Sequence, residues 1–151
     1  MSDIGLLIVN NCIDLSLSDD GSTLFRDDGL ESSILISLFT DQRVSESEVP
    51  QGESEQRGWW GDLVSETPGD KTGSKLWTLY RSKLVPGTAQ SVQVRAKQAL
   101  QWMIDDGVAS SVDVVTTIDA GRLLIAVSIT KPDNTENKFS MFWDGQNIKR
   151  A

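Results

Sequence analysis

The stretch VDVVTTIDAGRLLIAVSITKPDNTENKFSMFW, residues 112–143, decides the fold. Val112, Val114, Thr116 and Ile118 alternate with Asp113, Val115 and Thr117. Asp119-Ala120-Gly121 turns the chain, and Leu123, Ile125, Val127 and Ile129 then alternate with Leu124, Ala126, Ser128 and Thr130. Pro132-Asp133-Asn134-Thr135 turns it again before a third strand at residues 138–143. A period of two puts alternate side chains on one face of a sheet, and turns this short join antiparallel neighbours. The reading is an antiparallel three-stranded meander.

Working toward the N-terminus, the pattern becomes helical. Val92, Ala96, Ala99, Leu100 and Met103 recur at the spacing of one helix face. Thr88 is the expected N-cap of that helix, which should run to about Asp106 with Gly107 just past its end. A shorter helix is expected at residues 75–84, carrying Leu76, Trp77, Leu79, Tyr80 and Leu84 and stopped by Pro86-Gly87. A third stripe, Leu30, Ile34, Leu35 and Leu38, predicts a helix that ends near Thr40-Asp41. Asp27-Asp28 stands where a carboxylate could accept from the free N–H groups of its first turn. Before it, residues 4–17 read as strands, with Ile13, Leu15 and Leu17 half-buried. Asp19-Asp20-Gly21-Ser22 turns, and residues 23–26 pair back, giving an N-terminal β hairpin. Strands, then helices, then a meander define an α+β class. One domain spanning residues 1–151 is expected.

Between the helices lies a long connection at about residues 42–71. It has no sustained period and is rich in Gly, Glu, Ser and Pro. A segment this long inside a compact domain is normally functional or disordered. At its centre is Arg57-Gly58-Trp59-Trp60-Gly61-Asp62. Each indole can bury roughly 150–250 Å², so a polar loop that carries two is docking onto something. Two readings stand at this point: a plug folded back on the protein's own helices, with the glycines permitting tight turns, or an anchor for a partner. Trp77 and Trp102, on predicted helices, are expected in the core.

The composition narrows the chemistry. The net charge of −8 opposes binding to nucleic acid or to an anionic membrane surface, both of which attract Lys and Arg. No apolar run approaches the roughly 18 residues of a membrane span. The opening Met-Ser-Asp-Ile has no secretory pattern, so synthesis in the cytosol is expected. With no histidine, the chain lacks the usual general base and the commonest metal ligand. Cys12 is alone, in an apolar stretch, and is expected to be a small buried hydrophobe. No phosphate-cradling glycine motif occurs, and neither cofactor nor metal is expected. The pairs Asp19-Asp20, Asp27-Asp28 and Asp105-Asp106 sit at turns and helix ends. A catalytic acid also needs an apolar setting to raise its pKa. A glycan-cleaving enzyme built on a carboxylate pair is therefore the runner-up function.

The residues that remain form a family-like order. Ile36-Ser37-Leu38-Phe39-Thr40-Asp41, then Arg57-Gly58-Trp59-Trp60-Gly61-Asp62, then Gly73-Ser74-Lys75-Leu76-Trp77 with Tyr80-Arg81-Ser82-Lys83, resembles the small baseplate protein of Mu-like contractile-tailed phages. Ala99-Leu100 with Trp102, and Asp105-Asp106-Gly107-Val108-Ala109, continue the likeness over most of the chain. More distantly the chain is similar to the sheath-initiator proteins of contractile tails. The resemblance implies a non-enzymatic component of a baseplate wedge, assembled in the host cytoplasm and carried in the virion. It implies that Arg57, Gly58, Trp59, Trp60, Gly61 and Asp62 bind other wedge proteins. It also implies that the C-terminal sheet, near Leu123, Ile125, Val127, Ile129, Phe139, Met141 and Trp143, accepts strands from the tail sheath protein. Tail tube and hub proteins are further neighbours it suggests. One departure is visible: distant initiators carry a Glu-Pro-Arg-like element where this chain has Gly58-Trp59-Trp60-Gly61, so the contact here would be aromatic packing.

Overall fold

In the computed structural model of the chain, the described residues are 3–9, 12–17, 21–24, 26–27, 30–144 and 147–151. The C-terminal strands are β5 (Ser111–Asp119), β6 (Arg122–Thr130), β7 (Glu136–Trp143) and β8 (Ile148–Arg150). They form one antiparallel sheet in the order β5-β6-β7-β8. The expected meander is present, extended by one strand. A strand as short as β8 shows too little alternation to be read from sequence, but it pairs over Met141↔Arg150 to Trp143↔Ile148. Register sets the core. Pairs such as Ile125↔Met141, Val127↔Phe139 and Leu123↔Trp143 bring like-facing apolar residues side by side.

One face of this sheet is covered by helices. These are α1 (Glu31–Phe39), α2 (Pro86–Ala99) and α3 (Trp102–Asp105). Val92, Ala96, Leu100 and Met103 bury against Val114, Leu123, Ile125, Val127, Ile129 and Trp143, with Ile34, Leu38 and Leu76 completing the cluster. Each large side chain fully buried in this way stabilises the fold by about 1.5–3 kcal/mol before entropy is counted.

The helices begin and end differently from the sequence expectation. Pro86-Gly87 opens α2 instead of closing a preceding helix, and the N-cap is Val85. Proline suits that first position because its missing N–H would be unbonded there anyway. Thr88 lies inside the first turn and donates its hydroxyl to the Lys83 carbonyl at 2.7 Å. The long helix expected to reach Asp106 is interrupted at Leu100-Gln101, giving α2 and then α3; Gly107 follows with φ 71, as a residue past a helix end often does. The helix expected at residues 75–84 is only a 3-10 turn, Leu76–Leu79. The N-cap of α1 is Leu30, with φ 71 and no side-chain cap bond. Asp27 belongs to a strand, and Asp28, with Asp19 and Asp20, lies outside the described residues.

The N-terminal segment forms two small antiparallel pairs. One joins β1 (Asp3–Ile4) to β4 (Arg26–Asp27) and the other joins β2 (Leu6–Val9) to β3 (Cys12–Leu15). Ser32 of α1 staples them down: its hydroxyl donates to the Ile4 carbonyl and accepts from the Leu6 N–H, each at 2.9 Å. The expected half-burial of Ile13, Leu15 and Leu17 does not occur, and Cys12 is exposed instead of buried. The body of the protein touches β2 through α1 and β8, while all four residues of β3 are exposed.

Candidate docking surface

The connection at residues 42–71 is pinned at its base. Its two ends run side by side: Gln42 N–H donates to the Ser74 carbonyl and Ser74 N–H to the Thr40 carbonyl, each at 2.9 Å. Gly73 makes that approach possible. It has φ +98, and a β-carbon there would sit 2.2 Å from the Thr40 carbonyl oxygen. The indole of Trp77, buried beneath, donates to the Gln42 carbonyl at 2.9 Å. Val44 is buried, and its N–H reaches the Gln56 carbonyl at 3.1 Å.

Arg57 holds the middle of the loop to the body. Its guanidinium donates to the Asp41 carboxylate at 2.8 Å, lies 4.0 Å from Glu53, and stacks over Trp77 at 4.6 Å from the ring centre. A cation over an aromatic face contributes about 0.5–2 kcal/mol, more as water is excluded. The Asp41 hydrogen bond raises the Arg57 pKa further, so the charge is fixed. Tyr80 closes the cluster. Burial, and then the Asp41 charge, push its phenol up to about 12. At the outer corner, Glu48 accepts from Lys75 at 2.5 Å and from the Ser45 N–H at 3.1 Å, which together hold its carboxyl down to about 2.

From this base the chain presents its tryptophans. Arg57 and Gly58 both have positive φ, 49 and 115, and the double left-handed turn swings residue 59 outward. Gly58 presses on the Arg43 side chain, where a β-carbon would be 2.8 Å away. Residues Trp60–Leu63 then form a 3-10 turn, and the Trp59 ring lies against Gly61, 2.2 Å from where a β-carbon would stand. The two indoles are tilted against each other with ring centres 5.6 Å apart. Trp59 remains 44% exposed, Trp60 72%, Leu63 82% and Val64 72%. Asp62 does not face outward with them. Its Oδ1 accepts from the Thr72 N–H at 3.0 Å and ties the outgoing chain to the turn. Arg57 and Asp62 thus point into the loop's own framework, while the rings and the two aliphatic residues after them form the exposed knob.

Sequence reasoning missed Leu63 and Val64 as part of this surface, because nothing in their spacing marks them as exposed. It also missed Asp41, Gln42 and Ser74 as the base, since partners more than thirty residues apart leave no local pattern. Trp102, expected in the core, is 37% exposed on α3, with its N–H bonded to the Ser37 hydroxyl at 3.0 Å.

The seven residues expected to receive sheath strands have a different place. Leu123, Ile125, Val127, Ile129, Met141 and Trp143 are buried in the protein's own core, and Phe139 packs against it. Strand β6 is interior, with β5 on one side and β7 on the other. At the β5 side of the sheet, α2 lies close: Gln93 donates to the Val114 carbonyl at 2.8 Å and Thr116 donates to the Ala89 carbonyl at 2.9 Å. Strand β8 covers β7 only over Met141–Trp143, with Ala151 N–H reaching the Ser140 carbonyl at 3.0 Å. Among the described residues, the stretch 136–139 therefore has no strand on its outer side. It carries an ion pair, Lys138 to Glu136 at 3.1 Å, and an Asn137 Oδ1 with no hydrogen-bond partner among the described residues. Charge on an open edge discourages unspecific pairing.

The described carboxylate pair, Asp105-Asp106, is exposed at the end of α3, where Asp105 accepts from the Gln101 amide at 3.0 Å.

A pinned loop thus offers an exposed apolar knob on an α+β body whose core is closed. The chain belongs to the family described as phage protein GP46, whose model matches residues 30–136. It is 45% identical over 136 residues to the Mu-like prophage FluMu protein gp46 of Haemophilus influenzae, covering 89% of this chain and 91% of that protein. It is 34% identical over 137 residues to the baseplate protein gp46 of Escherichia phage Mu, again covering 89% and 91%.

Proposed function

We propose that this chain is a structural, non-catalytic protein of a contractile phage tail baseplate, carried in the virion. The knob of Trp59, Trp60, Leu63 and Val64 carries this reading. Four adjacent large apolar side chains held out on a braced loop oppose the hydrophobic effect unless a partner covers them. The name of the phage Mu relative supplies the assembly in which such a partner would be found. In this account the knob enters an apolar pocket on a neighbouring wedge protein. Gly58 and Gly61 give the loop its shape, while Arg57 and Asp62 keep it ordered before assembly.

The same protein initiates the sheath by strand addition at its C-terminal sheet. Residues 136–139 of β7 are the open place for an incoming strand, and Leu123, Ile125, Val127, Ile129, Phe139, Met141 and Trp143 support that edge from the core side. Backbone hydrogen bonds would supply affinity, with alternate side chains supplying register. Tube and hub proteins are further neighbours in such an assembly.

Deleting the gene from a phage genome that encodes it, and imaging the lysate by negative-stain electron microscopy, tests the reading. Loss of sheathed tails, restored by a plasmid copy, is the expected outcome. Normal, infective tails from the deleted genome contradict it.

A further inference from the structure

A second surface lies at the foot of the loop, where both of its ends meet α2 and α3. A cavity of about 160 Å³ is lined there by Lys71, Lys75, Arg95, Gln42, Gln98 and Trp102, among others. In a chain of net charge −8, three cations meeting at one cavity is a local reversal of the whole molecule's sign. Lys75 is already paired with Glu48 at 2.5 Å. Arg95 and Lys71 make no ion pair with a described residue.

Arg95 is the more informative of the two. It is half-buried, and its guanidinium is held by neutral oxygens, the Lys75 carbonyl at 3.1 Å and the Thr78 hydroxyl. Burial lowers its pKa, and the charge of Glu48 only partly opposes this. A desolvated cation without a carboxylate costs free energy that an incoming anion would return. A guanidinium also presents a planar fork that a carboxylate can meet with two hydrogen bonds.

The surroundings narrow the ligand. The cavity is smaller than the roughly 300 Å³ at which small-molecule sites begin, so it fits one side chain better than a sugar or nucleotide. A densely charged polyanion would also meet Glu48, which stands beside Lys75. On the far side of Lys75 and Arg95 the surface continues as an open groove past Val94, Gln90 and Ser91, where the one lining carboxylate, Glu48, is paired with Lys75. Val94 is 49% exposed and Trp102 37%, so apolar contact is available at both ends of the cationic stretch.

We propose that this cleft binds an acidic segment of a partner protein, one carboxylate side chain entering between Arg95 and Lys71 while apolar neighbours rest on Trp102 and Val94. The site is separate from the tryptophan knob, and the claim does not depend on which assembly the partner belongs to.

The test is an NMR titration of the full chain, following the Trp102 indole N–H, which Trp102→Phe identifies. The probe is a blocked peptide in which glutamates alternate with leucines. Saturable shifts of that resonance are expected, weakened about tenfold by Lys71→Gln or Arg95→Gln, in line with loss of one charged hydrogen bond. Lys71 is exposed, so Lys71→Gln stays informative should Arg95→Gln unfold the chain. The same peptide with glutamine in place of glutamate should not bind. Equal shifts with the glutamine peptide, binding indifferent to Lys71→Gln, or saturation by inorganic phosphate or a DNA oligomer but not by the peptide overturns the proposal.

Discussion

Trp60 and Trp77 are the same residue type with opposite duties. Trp60 is 72% exposed, while Trp77 is 2% exposed and bonded to Gln42. Trp60→Ala should therefore leave the unfolding free energy within about 0.5 kcal/mol of the parent, and Trp77→Ala should cost about 3–5 kcal/mol. Urea denaturation followed by circular dichroism measures both. Glycines separate in the same way. Gly73→Ala puts a β-carbon 2.2 Å from the Thr40 carbonyl at a φ of +98, so a loss of about 1–3 kcal/mol is expected by the same method. Gly69 has positive φ but open space around it, so Gly69→Ala meets no neighbour and bears only the backbone strain.

Among the elements, the loop and the sheet differ in how their order is made. Sheet order comes from local alternation: the period of Leu123, Ile125, Val127 and Ile129 announced both the strand and its buried face. The loop's order comes from pairs distant in sequence, such as Arg57 with Asp41 and Gln42 with Ser74, and these left no pattern to read. The expected cap at Thr88 failed for a related reason: propensity marks residues able to cap, while Pro86 at the first helical position leaves Val85 as the N-cap. The exposed β3 shows the limit from the other side: its alternation is real, but both of its faces are exposed among the described residues.

Two measurements address the loop as an element. Arg57→Ala removes the ion pair to Asp41 and the stack on Trp77. Amide exchange at Val44 and Thr72 should rise by about tenfold or more while Ile125 in the sheet is unchanged. Acid acts at the outer corner. Glu48 has a folded pKa of about 2 against an ordinary 4.5, so it contributes stability above pH 4.5 that is lost as pH falls through about 2. Glu48→Gln should flatten the part of the pH–stability curve in that window. At the alkaline end, Tyr80 is raised to about 12, so its contribution is present below pH 10 and is lost as pH climbs through about 12.

At the scale of the whole molecule, the described residues close one core, and three of the surfaces left open bear on docking. These are the tryptophan knob, the cationic cleft at the foot of the loop, and the 136–139 edge of the sheet. The fold class was legible in the sequence, and so was the placing of Trp59 and Trp60 together in a long polar loop. Their exposure was not, because a glycine-bracketed pair in a polar loop carries no pattern that tells a packed ring from a solvated one.

The central claim is that the knob is held ready for a partner and is not part of the core. Its most direct test replaces Trp59 and Trp60 together with alanine. The purified variant's melting curve is compared with the parent's, and tails from a complemented deletion phage are assayed for the protein. The account predicts a melting temperature within a few degrees of the parent and tails that lack both the protein and infectivity. An unfolded variant, or a folded one that enters infective tails as the parent does, contradicts it.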